Sequence, residues 1–340
     1  MFWQLPKQPS LEELARHIPR IAPVRTGEHR PFCSVMIPTY NCAEYLRRTL
    51  ASVLCQAPGP EQMQIEVIDD CSTKDDPEGV VAELGAGRVQ FYRQPSNQGA
   101  GKTFNTCIDR ARGHWVHILH GDDAVLPGFY REYERIISAS PGIAMIAGKV
   151  VNIDENDSWK AIQGGEPGDD GVIIPCFVER QATGQLCQFA GVVVRRDVYE
   201  KVGGFCTFFS HVQDMDMWFR VGFCGPVAAT RRPYALYREH SSSDTNKLAV
   251  SATNIRETYL LVRTNLTRLY GNPNVRCGQD WRSRLARDAE RFAWTLDSRG
   301  STEGRLNQAR WAWMLAPSWR TLRLYAKSWL KHAIRPGRPS

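Results

Sequence analysis

Gly121-Asp122-Asp123 places two adjacent carboxylates directly after the apolar run Trp115-Val116-His117-Ile118-Leu119. An apolar run with β-branched residues predicts a buried strand, and Gly121 marks the turn that ends it. The carboxylates then fall at the carboxyl edge of an open α/β sheet, where ligands bind. Asp oxygens are hard ligands suited to Mg²⁺ or Mn²⁺, and substrate phosphates commonly complete the shell of such an ion. A solvated turn has the same composition, so the neighbouring motifs must decide. Pro38-Thr39-Tyr40-Asn41, Asp69-Asp70-Cys71-Ser72 and Asn97-Gln98-Gly99 each follow a strand candidate, so the topology itself predicts convergence on one edge. Gln213-Asp214-Met215-Asp216 and Tyr237-Arg238-Glu239-His240, followed by three serines, come later in the chain. The bland reading makes Asp216 a helix cap or solvated side chain and His240 a packing histidine.

The elements that must position these residues alternate. Strands are predicted at 32–37 (stopped by Pro38), 65–68, 89–92, 115–119, 143–147 and 189–194. Helices are predicted through Leu46, Leu50 and Val53, through Phe104, Cys107 and Ile108, and over 129–137. This order specifies a right-handed, mostly parallel, Rossmann-like sheet with helices on both faces. Residues 152–171 are polar and read as a mobile loop, and from 250 onward the pattern is helical. The expected division is an N-terminal extension over 1–30 with a Ser10-capped helix, a catalytic domain over 31–248, and a helical region over 249–340.

In this order and at these intervals, residues 32–245 resemble the family 2, GT-A-type, inverting glycosyltransferases. The resemblance implies a GT-A fold and transfer of a sugar from a nucleotide-diphosphate donor, a UDP-sugar in the first place, to a hydroxyl of a glycan or lipid-linked acceptor. It also implies Mn²⁺ or Mg²⁺ as cofactor. Pro38, Tyr40 and Asn41 match the nucleotide-base pocket, Asp70 the carboxylate that bonds the base, and Asn97 and Gly99 the turn beneath the nucleotide. Asp122 matches a contact to ribose or metal, Asp123 the metal ligand at the diphosphate, and Asp214 the catalytic base. Arg238 and His240 match a segment facing the diphosphate, and His240 is expected to join Asp123 and Asp122 in holding the metal. The chemistry is coherent: a diphosphate leaves only when its developing charge is neutralised, and an attacking hydroxyl needs a positioned base. One base and no second nucleophile suits direct, inverting displacement. The chain departs from many members at His120 (Asp there), Gln213 (Glu there) and Phe104 (Arg there); Lys102 is the candidate replacement for that last charge.

Two alternatives accompany this reading. Gly99-Ala100-Gly101-Lys102-Thr103 imitates a phosphate-binding loop of an NTPase, but Ser96 stands where its first glycine belongs. A catalytically inactive nucleotide-sugar-binding scaffold is the other.

Composition is that of an ordinary globular protein, with 42% hydrophobic and 23% charged residues. Ten cysteines without a Cys-x-x-Cys spacing argue for reduced thiols in a cytoplasmic setting rather than a zinc site. Met1 to Pro19 has no apolar signal core, and no 18-residue apolar stretch exists. Net charge is +7, yet residues 299–340 carry nine Lys/Arg against one acid, leaving 34 basic and 35 acidic residues elsewhere. A neutral body with a basic tail does not suit a nucleic-acid partner. Within 318–335, Leu322, Tyr325, Ala326, Trp329, Leu330 and Ala333 share one helical face, and Arg320, Arg323, Lys327, Lys331 and Arg335 another. Pro336-Gly337 is expected to end this helix. Peripheral contact with the inner face of a membrane is expected from that pattern; packing on the catalytic domain or within a homo-oligomer is the competing reading.

Overall fold

A computed structural model of the chain describes residues 4–25, 27, 29–164, 171–240, 243–274 and 280–334. After a short helix α1 (Leu11–Ala15), the elements β1 (Cys33–Thr39), α2 (Ala43–Leu54), β2 (Met63–Asp69), α3 (Pro77–Gly85), β3 (Gln90–Arg93), α4 (Ala100–Arg110) and β4 (Trp115–Ile118) alternate. Then come β5 (Ala124–Val125), α5 (Phe129–Ala139), β6 (Met145–Ile153), β7 (Trp159–Gln163), α6 (Phe177–Gln181), β8 (Val192–Arg195), α7 (Arg196–Val202), α8 (Gln213–Val221) and β9 (Val227–Arg238). The C-terminal region is α9 (Asp244–Val250), α10 (Thr253–Tyr270), α11 (Trp281–Ser298), α12 (Thr302–Leu315) and α13 (Trp319–Ala333).

The strands form one sheet in the order β3-β2-β1-β4-β8-β6-β9-β5, with β7 paired to β6. β3, β2, β1 and β4 are mutually parallel, but β8 runs antiparallel to both β4 and β6. β6 and β9 again pair in parallel, so the expectation of a mostly parallel sheet holds, with β5, β7 and β8 running antiparallel and making the whole mixed. All seven residues of β1 and of β2 are buried, as strands covered on both faces require. One apolar cluster lies under α2, α3 and α5, and a second under α4, α7 and α8. A third joins Leu14 of α1 to α10, α11 and α12, so the N-terminal segment is clasped by the C-terminal helices. Ser10 caps α1, its hydroxyl accepting from the Glu13 N–H at 3.0 Å.

Three local expectations are corrected. Pro38 does not stop β1, which runs on to Thr39. Its carbonyl faces the β4 side, accepting from the Gly121 N–H at 2.9 Å, so its missing N–H points past the end of β4 at Ile118. The loop expected over 152–171 is in part a hairpin: β6 continues to Ile153 and pairs antiparallel with β7, whose five residues are all exposed. Residues 165–170 of that stretch lie outside the described residues. β9 has no counterpart among the predicted strands, because Arg231, Arg232 and Pro233 interrupt its apolar pattern. The ladder with β6 shifts register there, and Thr230 Oγ1 accepts from the Lys149 N–H at 2.9 Å.

Candidate active site

The parallel registers Thr39↔Asp69 and Asp69↔Arg93 bring the ends of β1, β2 and β3 side by side, and β4 ends beside them. The turn after β4 is held tightly. The Thr49 hydroxyl of α2 lies within hydrogen-bond reach of the carbonyls of Gly121 (3.0 Å) and Asp123 (2.6 Å). A Cβ on Gly121 would come within 3.0 Å of Thr39 Oγ1 and 3.2 Å of Cys42 Sγ, so this close approach needs glycine.

Asp123 is 1% exposed. Its Oδ1 accepts from the Arg238 backbone N–H at 2.9 Å, whereas Oδ2 is buried without a hydrogen-bond partner among the described residues. Asp122 Oδ2 meets His240 Nε2 at 2.9 Å. Burial alone would raise the Asp122 carboxyl, but the His240 hydrogen bond and the two nearby histidines prevail and hold it below its ordinary value. Burial and the Asp122 charge push Asp123 well above its own. One ligand atom each from His120, Asp122 and Asp123 lie within 4.8 Å of one another. The three atoms are close enough to converge on a single ion with small side-chain rotations, and the Asp123 oxygen without a hydrogen-bond partner is a ligand in waiting. An imidazole with two carboxylates suits Mn²⁺ among the hard divalent ions.

The family departures are linked in space. The Phe104 ring stacks on His120 with centroids 5.1 Å apart and planes within 4°. An aromatic pair here occupies the place where many members have Arg and Asp. His120 is thus the third member of the candidate ion site. His240, expected beside the ion, hydrogen-bonds Asp122 instead, as an outer partner that orients a ligand carboxylate does. Arg238 is buried and its donors are committed: Nε to Asp122 O at 2.9 Å, Nη1 to Asp154 O at 2.9 Å and Nη2 to Asp157 Oδ1 at 2.6 Å. Its guanidinium lies 4.6 Å from the Tyr45 ring centroid.

Asp70 serves the loop before α4: Oδ1 accepts from Gln94 Nε2 and the Gln98 N–H, both at 2.7 Å, and Oδ2 from the Gly99 N–H at 2.9 Å. Gly99 caps α4 at φ +82, a conformation that favours glycine. Asn41 Oδ1 accepts from the backbone of Thr73 and Lys74 at 2.9 and 3.0 Å, tying two edge loops together. Tyr40 is 44% exposed, with its ring available to a flat ligand. Asn97 and Lys102 are exposed and border no part of the cleft.

That cleft has a volume of about 1440 Å³. Pro38, Tyr40, Asn41, Asp70, Asp122 and His240 line one side and Asp214 another, while α10 and α11 contribute Thr258, Trp281, Arg284 and Asp288. Asp214 opens α8. Its Oδ1 accepts from the Met215 N–H at 2.7 Å and its Oδ2 from Gln185 Nε2 at 2.5 Å. Burial outweighs both bonds and pushes the carboxyl from 3.8 up to about 6. The loop before it is fixed by Glu257 of α10, which accepts from the Ser210 and His211 N–H groups at 2.9 and 2.7 Å. Gln185 and Glu257 escaped sequence reasoning, since 29 and 43 positions separate them from Asp214 and no periodicity links them.

Asp216 is neither a cap nor solvated. It is fully buried, accepting from Arg220 Nε and Arg268 Nη1, both at 2.8 Å, and so joins α8 to α10. Removing it takes the carboxylate partner from two part-buried guanidinium groups. Asp216→Ala is expected to lose about 3–5 kcal/mol of stability in urea denaturation, while Asp214 itself is untouched.

The sequence profile of glycosyl transferase family 2 matches residues 34–203, half of the chain. The chain belongs to glycosyl transferase family 2. Among family relatives, an uncharacterized glycosyltransferase (alr2836) of Nostoc sp. is 28% identical over 76% of this chain and 80% of its own length. The succinoglycan biosynthesis protein ExoO of Rhizobium meliloti is 33% identical over 36% of this chain and 35% of its own. The crystal structure of S. aureus TarS 1-349 in complex with UDP-GlcNAc has a TM-score of 0.56 at 15% identity, covering 86% of this chain and 83% of that one. The fold of this glycosyltransferase is therefore GT-A, followed by C-terminal helices. Membership of family 2 displaces the NTPase reading, and the outward-facing Lys102 agrees.

Proposed function

We propose that this chain is a metal-dependent, inverting glycosyltransferase that moves a sugar from a nucleoside-diphosphate donor, UDP in the first place, to a hydroxyl of a glycan or lipid-linked acceptor in bacterial surface polysaccharide synthesis. One observation carries the reading. A single cleft is lined by His120 and Asp122, with Asp123 buried behind them and one of its oxygens lacking a hydrogen-bond partner among the described residues, and by Asp214, whose burial raises its carboxyl to about 6. The UDP-GlcNAc bound by TarS and the succinoglycan role of ExoO support the donor and the pathway class.

In this reading Tyr40 and Pro38 flank the base, and Asp70 and Asn41 hold the loops that shape its pocket. A divalent ion held by His120, Asp122 and Asp123 would supply Lewis-acid neutralisation of the departing diphosphate. His240 and Arg238 position Asp122. Asp214, deprotonated, takes the proton of the acceptor hydroxyl as its oxygen bonds to the anomeric carbon. The bond from that carbon to the diphosphate oxygen breaks on the opposite face, the nucleotide departs with the electron pair, and the anomeric centre inverts. Asn97 and Lys102 take no part, so Lys102→Ala is expected to change nucleotide affinity less than twofold.

The test is release of nucleotide from UDP-, GDP- and dTDP-sugars and from ATP, with Mn²⁺ and a mixed glycan acceptor pool. Release from one diphosphate-sugar class, with an inverted product anomer by NMR, is the expected outcome. Binding without release from any donor would favour the inactive scaffold.

A further inference from the structure

The helical region after the catalytic cleft ends in a face that the fold leaves uncovered. α13 docks on its neighbours through Thr321, Leu324 and Ser328, all buried, with the Tyr325 ring stacked on Trp313 at 5.9 Å. Ser328 Oγ accepts from Arg305 Nε of α12 at 2.9 Å, which fixes the rotation of the helix about its axis. The opposite side is apolar and open to solvent: Trp319 is 87% exposed, Trp329 54% and Leu330 51%, with Leu322 and Ala326 between them. Leu322, Tyr325, Ala326, Trp329 and Leu330 line a shallow groove there. In the competing reading this stripe packs on the catalytic domain; instead, Tyr325 apart, it faces solvent, and a different face packs on the neighbouring helices.

We infer that this outward face of α13 docks the enzyme on an anionic lipid surface. Charge selects that occupant. At 100° per residue, Arg323, Lys327, Arg320 and Lys331 follow one another along the flank of the apolar stripe, and all four are exposed. α13 contains no acidic residue at all. Arg320 and Lys331 reach Glu290 and Asp297 of α11, both at 2.5–2.6 Å, so they fasten the helix as well as adding charge. Long basic side chains beside an apolar stripe lay their stems along the acyl boundary and extend their heads to lipid phosphates. Trp319 and Trp329, ten residues and about 15 Å apart along the axis, present two amphipathic rings on this side, as interfacial anchoring requires. Among the described residues no helix is long and apolar enough to cross a membrane, so this contact lies in the interface plane. Arg335 and Pro336-Gly337, the expected end of the helix, lie outside the described residues.

The test is co-sedimentation of the full chain with vesicles of pure phosphatidylcholine or of phosphatidylcholine with 30% phosphatidylglycerol. Binding to the anionic vesicles only, weakened by salt, is expected. R323Q/K327Q should weaken it about 25-fold, at about fivefold per basic residue, and W319E/W329E should abolish it. All four positions are exposed, so unchanged thermal unfolding of both variants shows the fold intact. Two results overturn the inference. One is no vesicle binding by the monodisperse wild type, or binding that both variants retain. The other is a wild-type dimer that W319E/W329E converts to monomer, which would make this face a contact between copies of the chain.

Discussion

Replacing Asp214 by Asn is expected to lower kcat by about 10²–10⁴-fold, the usual worth of a positioned proton acceptor, with nucleotide affinity within twofold of the wild type. The amide keeps the shape and the acceptor oxygen facing Gln185 but cannot take a proton. The wild-type kcat should rise with pH through about 6, because burial holds the Asp214 carboxyl there and only its ionised form is a base. Stability should move the other way. The folded-state value lies above the unfolded one, so the neutral form is favoured and stability falls as pH rises between about 4 and 6. Above that window the buried charge costs up to about 3 kcal/mol, at 1.36 kcal/mol per unit, less what the solvent-filled cleft returns. Asp214→Asn should therefore raise Tm at pH 7.5 and leave it unchanged at pH 4. A variant with normal turnover would remove Asp214 from the base role.

The second large effect is at Asp123. Asp123→Ala is expected to lower kcat/KM by about 10³-fold, since charge neutralisation at the leaving diphosphate is worth several kcal/mol. The loss should fall on binding as well as turnover, unlike that at Asp214, because the substitution deletes the buried oxygen that has no hydrogen-bond partner among the described residues. Asp123→Asn separates ligation from folding. It can still accept from the Arg238 N–H, so it should fold as the wild type does and lose metal-dependent binding all the same.

How much of this was legible in the chain depended on whether the cause was local. Gly121-Asp122-Asp123 and Pro38 through Asn41 were legible because each is a short apolar strand running into a turn, and parallel pairing carries such turns to one edge. The second half of the sheet was not. Arg231, Arg232 and Pro233 hide β9, and only the bulge opposite Lys149 shows why they are tolerated. Lys102 illustrates the opposite error: its place near a glycine-rich turn suggested a phosphate contact, but α4 begins at Ala100 and turns it to solvent. His120 was read as a departure from the family pattern. It stacks on Phe104, a second departure 16 residues earlier, and a contact of that kind shows only in three dimensions. The contribution of α10 and α11 to the cleft was invisible for the same reason. Their inward residues read as ordinary helix faces until the chain closes them over Asp214.

The account rests most heavily on a metal-assisted nucleotide site at this sheet edge, and calorimetric titration of UDP into the protein with and without Mn²⁺ tests it directly. The prediction is binding that Mn²⁺ strengthens by tenfold or more in the wild type, with that dependence absent in Asp123→Asn and intact in Asp214→Asn. Nucleotide binding of equal strength with and without Mn²⁺, or unaltered by Asp123→Asn, would contradict it.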